Sequence, residues 1–148
     1  MGRLRIQHCI INRITRQYGP HPTSDLLGVD YFHTISADVE FPYVVSQLEL
    51  FVRFYCESKL GGSILVTVSH ESGTEPAEEP VYSQSYVLPD LEANGSIIYD
   101  RSFKLKGLRI SREGLFSIRV QRRIRRTFWQ LPTWRILSTE YIHFLRDR

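Results

Sequence analysis

Apolar and polar residues alternate along several short segments of this chain, and no segment of ten or more residues repeats with the 3.6-residue period of a helix. In residues 3–11, for example, Leu4, Ile6, His8 and Ile10 share one side of the alternation. Successive side chains of a β-strand point to opposite faces, so this period is typical of a half-buried strand. The pattern predicts an all-β fold with little or no helix.

Turn-forming residues separate about eight predicted strands. After the first strand, the predicted strands cover residues 26–35, 48–56, 64–70, 81–88, 96–105, 116–126 and 134–144. The strand at 48–56 is apolar on both faces, which predicts a central position in its sheet. A chain of 148 residues has the length of one domain. We therefore expect residues 1–148 to form a single antiparallel β-sandwich of two sheets, which is favoured over a closed barrel.

The predicted connections contain glycine, proline or asparagine at positions that favour turns. Residues 17–25 carry two prolines and one glycine and predict a loop. Gly61-Gly62 predicts a hairpin between antiparallel neighbours, and Asn94-Gly95 predicts a second tight turn. Residues 105–108 predict a corner where the chain crosses between sheets, and residues 131–133 predict the tip of the last hairpin.

Several of these features follow one another in a characteristic order. They are Cys9, Gly28, Phe41-Pro42, the strand from Leu48 to Tyr55, the corner Leu105-Lys106-Gly107-Leu108 and the strand that begins at Gly114. This order resembles an uncharacterised bacterial family of short all-β proteins, a domain of unknown function, over nearly the whole chain. The resemblance implies a β-sandwich and no activity, because the shared features contain no chemical motif. The arginine-rich final hairpin departs from the pattern of that family.

Basic residues are concentrated in the predicted final hairpin. The chain has a formal net charge of +3, and 16 of its 19 basic residues are arginines. Residues 114–139 contain six arginines and no acidic residue. Together with two tryptophans, these arginines are the candidate binding residues: Arg119, Arg122, Arg123, Arg125, Arg126, Trp129, Trp134 and Arg135. Because arginine and tryptophan dominate the binding energy of many protein interfaces, this segment predicts a contact surface.

The charge of the rest of the chain indicates the partner of this surface. Residues 71–92 contain six acidic residues and no lysine or arginine, and residues 71–80 predict a solvated loop. Complementary charge on one chain favours self-association or a charged protein partner. Guanidinium and aromatic groups also contact phosphates and stack on bases, so nucleic acid or another polyanion is the alternative partner. A third interpretation is that Arg119, Gln121 and Arg123 only keep an outward strand face soluble.

Residues for catalysis or metal binding do not form a recognisable pattern. The sequence has no Gly-x-Ser-x-Gly elbow and no glycine-rich phosphate loop. The histidines and Cys9 lack the spacing of a zinc site, and the glutamates of residues 71–79 lack the spacing of a calcium loop. Cys9 and Cys56 lie far apart in apolar stretches, which predicts two buried thiols. We therefore expect a protein that is not an enzyme and uses no cofactor or metal, while the sequence leaves a small-molecule ligand open.

Hydrophobic segments of membrane-spanning length are absent from the sequence. No apolar run reaches the roughly 18 residues of a membrane span. The positively charged start is not followed by an apolar run of signal-peptide length. We therefore expect a cytoplasmic protein with no membrane partner.

Overall fold

The computed structural model describes residues 3–18, 23–27, 31–71, 79–124, 129, 131 and 133–147. Within these ranges the chain forms β-strands and the connections between them, and no helix. The predicted all-β fold is therefore confirmed. Its physical basis is the two-residue alternation of apolar side chains, which a strand can bury on one face and a helix cannot.

The described part of the chain contains twelve strands. They are β1 (Arg5–Asn12), β2 (Ile14–Tyr18), β3 (Thr23–Leu27), β4 (Phe32–Ile35), β5 (Tyr43–Val44), β6 (Glu49–Leu60), β7 (Ser63–His70), β8 (Tyr82–Val87), β9 (Leu91–Lys104), β10 (Arg109–Ile110), β11 (Gly114–Ile124) and β12 (Thr133–Arg146). The predicted number of about eight is too low because short strands such as β5 and β10, with two residues each, carry no alternation that a sequence pattern can reveal.

The strands form two larger sheets and two short pairs. The order is β1-β6-β9 in the three-stranded sheet and β4-β12-β11-β7-β8 in the five-stranded sheet, while β2 pairs with β3 and β5 with β10. β1 also lies beside β12, so the sheets curl into a half-barrel. β4 runs parallel to β12. The prediction of an antiparallel two-sheet sandwich is therefore only partly correct, because β4 and β12 are parallel and the sheets are not cleanly separate.

The hydrophobic core lies between the inner faces of the two larger sheets. β6 contributes Leu50, Val52 and Phe54, which are fully buried. The opposite sheet contributes Ile64, Val66 and Val68 from β7 and Phe116, Ile118 and Val120 from β11. Burying each large apolar side chain stabilises the fold by about 1.5–3 kcal/mol relative to leaving it exposed. β6 lies between β1 and β9, so its predicted central position is confirmed.

The first strand departs from strict alternation at a β-bulge. Ile6 and His8 pair with consecutive residues of β6, so Gln7 is an extra residue in β1. The extra residue shifts the phase of the side chains after it. His8 is consequently exposed, and the fully buried apolar residue in the second half of the strand is Ile11 rather than Ile10. The predicted inward face of residues 3–11 is correct only up to Ile6.

The turn at Gly61-Gly62 connects the two larger sheets. β6 before the turn belongs to the three-stranded sheet, and β7 after it belongs to the five-stranded sheet. The positive φ of Gly62, 95°, permits the tight turn that the sequence predicts. The prediction that β6 and β7 are antiparallel neighbours is wrong, because a glycine pair specifies a sharp change of direction and not the sheet in which the next strand pairs.

Two other predicted connections contain paired strand residues. Asn94-Gly95 lies inside β9, where it forms an irregularity opposite Ser58 of β6, and not a turn between strands. Gln17 and Tyr18 of the predicted loop at 17–25 pair with Ser24 and Thr23 in the β2–β3 hairpin. Residues 19–22, which contain both prolines, lie outside the described residues. The predicted strand at 26–35 is divided between β3 and β4, with residues 28–30 also outside the described ranges.

Candidate interaction surface

The candidate residues lie on the hairpin of β11 and β12. These strands pair antiparallel from Gly114 opposite Phe144 to Ile124 opposite Thr133. The predicted final hairpin is therefore confirmed. The corner before it is confirmed as well, because the chain leaves β9 in one sheet and enters β11 in the other. Arg125 and Arg126 lie outside the described residues.

Both tryptophans are exposed at the free end of this hairpin. Trp129 is 83% exposed and Trp134 is 37% exposed. Two aliphatic side chains that are not among the predicted binding residues are exposed beside them in the chain, Leu131 at 87% and Ile136 at 50%. We call Trp129, Leu131, Trp134 and Ile136 the hairpin tip. The sequence signal for Ile136 is its two-residue spacing from Trp134 on the same strand.

The two strand residues of the hairpin tip share the outward face of the sheet with polar side chains. Trp134 is directly opposite Arg123, and Ile136 is directly opposite Gln121. Opposite residues of an antiparallel pair present their side chains on the same face. The assignment of Arg123 and Gln121 to the outward face therefore agrees with this register. The outward face combines apolar area with one guanidinium.

Four arginines line a cleft near the same end of the hairpin. They are Arg122 and Arg123 of β11, Arg135 of β12 and Arg3, which precedes β1. The remaining lining residues are Leu4, Ile124 and Leu137. The cleft encloses about 280 Å³. We call this site the arginine cleft; it contains three of the predicted binding residues and adds Arg3, which only the position of β1 beside β12 brings close.

The Arg122 side chain lies on the core side of the sheet, which explains its place in the cleft. Arg122 is opposite Ile64 of β7, and Ile64 is fully buried on the core side of the sheet. The pairing of β11 with β12 places Arg135 directly opposite Arg122. Both arginines therefore continue the inward face of the hairpin beyond the last core residues.

Arg119 lies apart from the arginine cleft. Its Nη2 is 3.7 Å from Oε1 of Glu71, and both side chains are about one-third exposed. Glu71 is the first residue of the predicted acidic segment, so this ion pair joins the acidic and basic segments within one chain. Residues 72–78 lie outside the described part of the chain. In contrast, none of the ion pairs among the described residues involves the four arginines of the cleft.

The two cysteine thiols are not activated. Burial raises the pKa of Cys9 to about 12, although a hydrogen bond with Ser138 acts in the opposite direction. Burial also raises the pKa of Cys56, and the positive charge of Arg122 partly offsets this effect. Cys56 is fully buried as predicted, while Cys9 is half-buried. Because the thiolate is the reactive form, neither side chain has the character of a nucleophile.

The described residues contain neither a metal-binding cluster nor a membrane-spanning helix. No three His, Cys, Asp or Glu side chains among them are close enough to hold a metal ion. No described helix is long and apolar enough to cross a membrane. Compared with known protein families and with curated proteins, the chain matches none of them.

Proposed function

We propose that this domain is a non-enzymatic protein-interaction or self-assembly module whose contact surface consists of the hairpin tip and the arginine cleft. The observation that supports this function is the exposure of four large apolar side chains, two of them tryptophans, at the end of a hairpin that also carries arginines. Apolar side chains grouped on a surface cost solvation free energy, and such groups mark sites where another molecule binds. Tryptophan and arginine are the residues most enriched at the energetic centre of protein interfaces.

The tip offers apolar area that a partner can bury. A tryptophan side chain buries about 150–250 Å² when it is fully covered. At about 25 cal/mol per Å², this corresponds to roughly 4–6 kcal/mol before the entropic cost of association is subtracted. Trp129 keeps most of that area exposed in the free domain. The hairpin tip can therefore supply the apolar centre of an interface, with neighbouring arginines at its rim.

Binding of nucleic acid or another polyanion is the second candidate function. The observation that favours it is the arginine cleft, whose four cations make no ion pair with any described carboxylate. Guanidinium groups bind phosphates readily. However, no aromatic side chain lines the cleft, and binders of single-stranded nucleic acid combine a basic groove with aromatic side chains on which bases stack. The exposed apolar tip is better suited to a protein partner.

A tagged pull-down with and without nuclease separates the two functions. We expect the wild-type domain to retain a protein partner, or to associate with itself, after nuclease treatment. The double variant Trp129→Ala/Trp134→Ala is expected to lose this association. The matched control is Ile98→Ala, which removes an exposed apolar side chain from β9 in the other sheet. Capture of nucleic acid alone, abolished by nuclease, would contradict the protein-interaction function.

Sedimentation velocity on the purified domain distinguishes self-assembly from a different protein partner. Self-assembly predicts a sedimentation coefficient that rises with protein concentration in the wild type and in Ile98→Ala, and stays at the monomer value in the double tryptophan variant. A different partner predicts a monomer at every concentration for all three proteins. Only the pull-down then shows a difference between them.

A further inference from the structure

The arginine cleft contains an arrangement of like charges that is unfavourable without a ligand. Arg122 and Arg135 are directly opposite each other on neighbouring strands, and such pairs have Cβ atoms about 4.5–5.5 Å apart. Like charges at this distance destabilise a sheet. Arg3 also lines the cleft, and Arg123 borders it although its side chain lies on the outward face opposite Trp134. Since no described carboxylate pairs with these four arginines, their charge is available to an external anion.

The shape of the cleft favours one compact anionic group. Its residues come from β11, β12 and the segment before β1, and together they line a volume of about 280 Å³. Leu4, Ile124 and Leu137 supply an apolar part of the lining. This lining lowers the local dielectric constant, which strengthens ionic hydrogen bonds inside the cleft. A polymer backbone would require a longer track of cations.

We infer that the arginine cleft binds a phosphate monoester carried by a segment of a protein partner. A guanidinium group forms paired hydrogen bonds with phosphate oxygens, and a phosphate monoester has a charge of about −1.5 to −2 at neutral pH. This charge compensates a group of arginines better than the single charge of a carboxylate. Trp129 of the hairpin tip lies in the connection between β11 and β12 and can contact apolar residues next to the phosphorylated side chain. The inference deepens the proposed function and rests on it for the nature of the partner.

Thermal melting with small phosphate probes tests the cleft without any partner. We expect inorganic phosphate and a short phosphoserine peptide with apolar flanking residues to raise the melting temperature of the wild type, while the unphosphorylated peptide does not. Arg122→Gln and Arg135→Gln should each weaken phosphoserine-peptide binding about tenfold or more, because each removes a hydrogen bond to a charged group. The matched control is Arg109→Gln, which removes an exposed arginine on β10 and should bind as the wild type does.

Two further readouts keep this test independent of folding defects. Without ligand, Arg122→Gln should melt no lower than the wild type, because it removes one of two opposed like charges. Binding should also tighten between about pH 5 and pH 7, since the second pKa of a phosphate monoester is near 6 and arginine stays charged throughout. Equal binding of the phosphoserine peptide by Arg122→Gln, Arg135→Gln and wild type would overturn the inference.

The source of the phosphate and its relation to the hairpin tip are tested with the same probes. The peptide should bind more tightly than inorganic phosphate, and Trp129→Ala/Trp134→Ala should lower peptide affinity and leave phosphate affinity unchanged. A peptide that binds no tighter than inorganic phosphate would show that the ligand is a small phosphate ester. A single-stranded oligonucleotide that binds when the peptide does not would assign the cleft to nucleic acid. If the peptide fails while a tryptophan-dependent protein complex persists, this inference falls and the proposed function stands.

Discussion

Glu71 and Arg119 form an ion pair across the outer side of the five-stranded sheet, with 3.7 Å between Oε1 and Nη2. The pair shows that the basic hairpin is not uniformly available for binding. Arg119 has a compensating carboxylate, whereas the arginines of the cleft have none among the described residues. The four described arginines of the hairpin, which look equivalent in the sequence, therefore have different electrostatic environments.

This difference predicts unequal effects of charge removal on partner binding. Arg119→Gln should change the affinity for the partner less than about fivefold, because Arg119 already has Glu71 as its partner and partly exposed pairs are worth about 0.2–1 kcal/mol. Arg122→Gln should lower the same affinity about tenfold or more. Titration of partner against each variant measures both effects. A larger loss for Arg119→Gln than for Arg122→Gln would place the contact surface at the wrong end of the hairpin.

Removing the exposed tryptophan at the tip should leave the fold intact. Trp129→Ala is expected to change the free energy of unfolding by less than about 0.5 kcal/mol, because an exposed side chain makes few native contacts. Phe54→Ala, by contrast, empties a fully buried position in the core and should cost about 3–5 kcal/mol. Urea denaturation followed by circular dichroism measures both values. Strong destabilisation by Trp129→Ala would mean that this residue is structural.

The ion pair between β6 and β9 should contribute to stability. Arg53 donates hydrogen bonds of 2.7 and 2.8 Å from Nε and Nη2 to the two carboxylate oxygens of Asp100, whose side chain is only 5% exposed. Asp100→Asn keeps the size of the side chain and removes its charge. Because Arg53 is partly exposed, we expect a loss of about 1–2 kcal/mol in unfolding free energy. High salt should reduce the difference between the two proteins.

The partly buried thiol of Cys9 predicts a loss of stability at alkaline pH. Burial raises its pKa from 9.0 to about 12 in the folded state, so the folded chain holds this proton more tightly than the unfolded chain does. The resulting stability is fully present below about pH 9 and is lost as the pH rises towards 12. Comparison of melting temperatures between pH 8 and pH 11 for wild type and Cys9→Ser measures the effect. The decline should be less steep in Cys9→Ser, whose hydroxyl does not ionise in this range.

Local patterns in the sequence predict the core strands and miss the features that depend on distant pairing. Leu50, Val52 and Phe54 alternate inside an apolar run, and this is sufficient to identify β6 and its buried face. The bulge at Gln7 reverses the side-chain phase without any glycine to mark it. The sheet change at Gly61-Gly62 depends on where β7 finds a partner, which the turn itself does not specify.

The candidate site shows the same limit. The concentration of arginine and tryptophan identifies the hairpin, because composition is a local property. The arginine cleft also needs Arg3, which is more than 100 residues away in the chain and is brought close by the position of β1 beside β12. Arg119 differs from the cleft arginines because it forms an ion pair with Glu71, which follows β7 and lies outside the hairpin. No spacing rule within the hairpin contains that information.

The salt dependence of the complex tests the proposed function most directly. Affinity for the partner is measured between 50 and 200 mM salt for the wild type and for Trp129→Ala/Trp134→Ala. A protein interface centred on the hairpin tip predicts a decrease of roughly tenfold or less over this range, and a loss of about 100-fold or more in the double variant. A decrease of about 1,000-fold or more with salt, unaffected by the tryptophan substitutions, is the behaviour of a protein held by many phosphate contacts and would contradict a protein-interaction module.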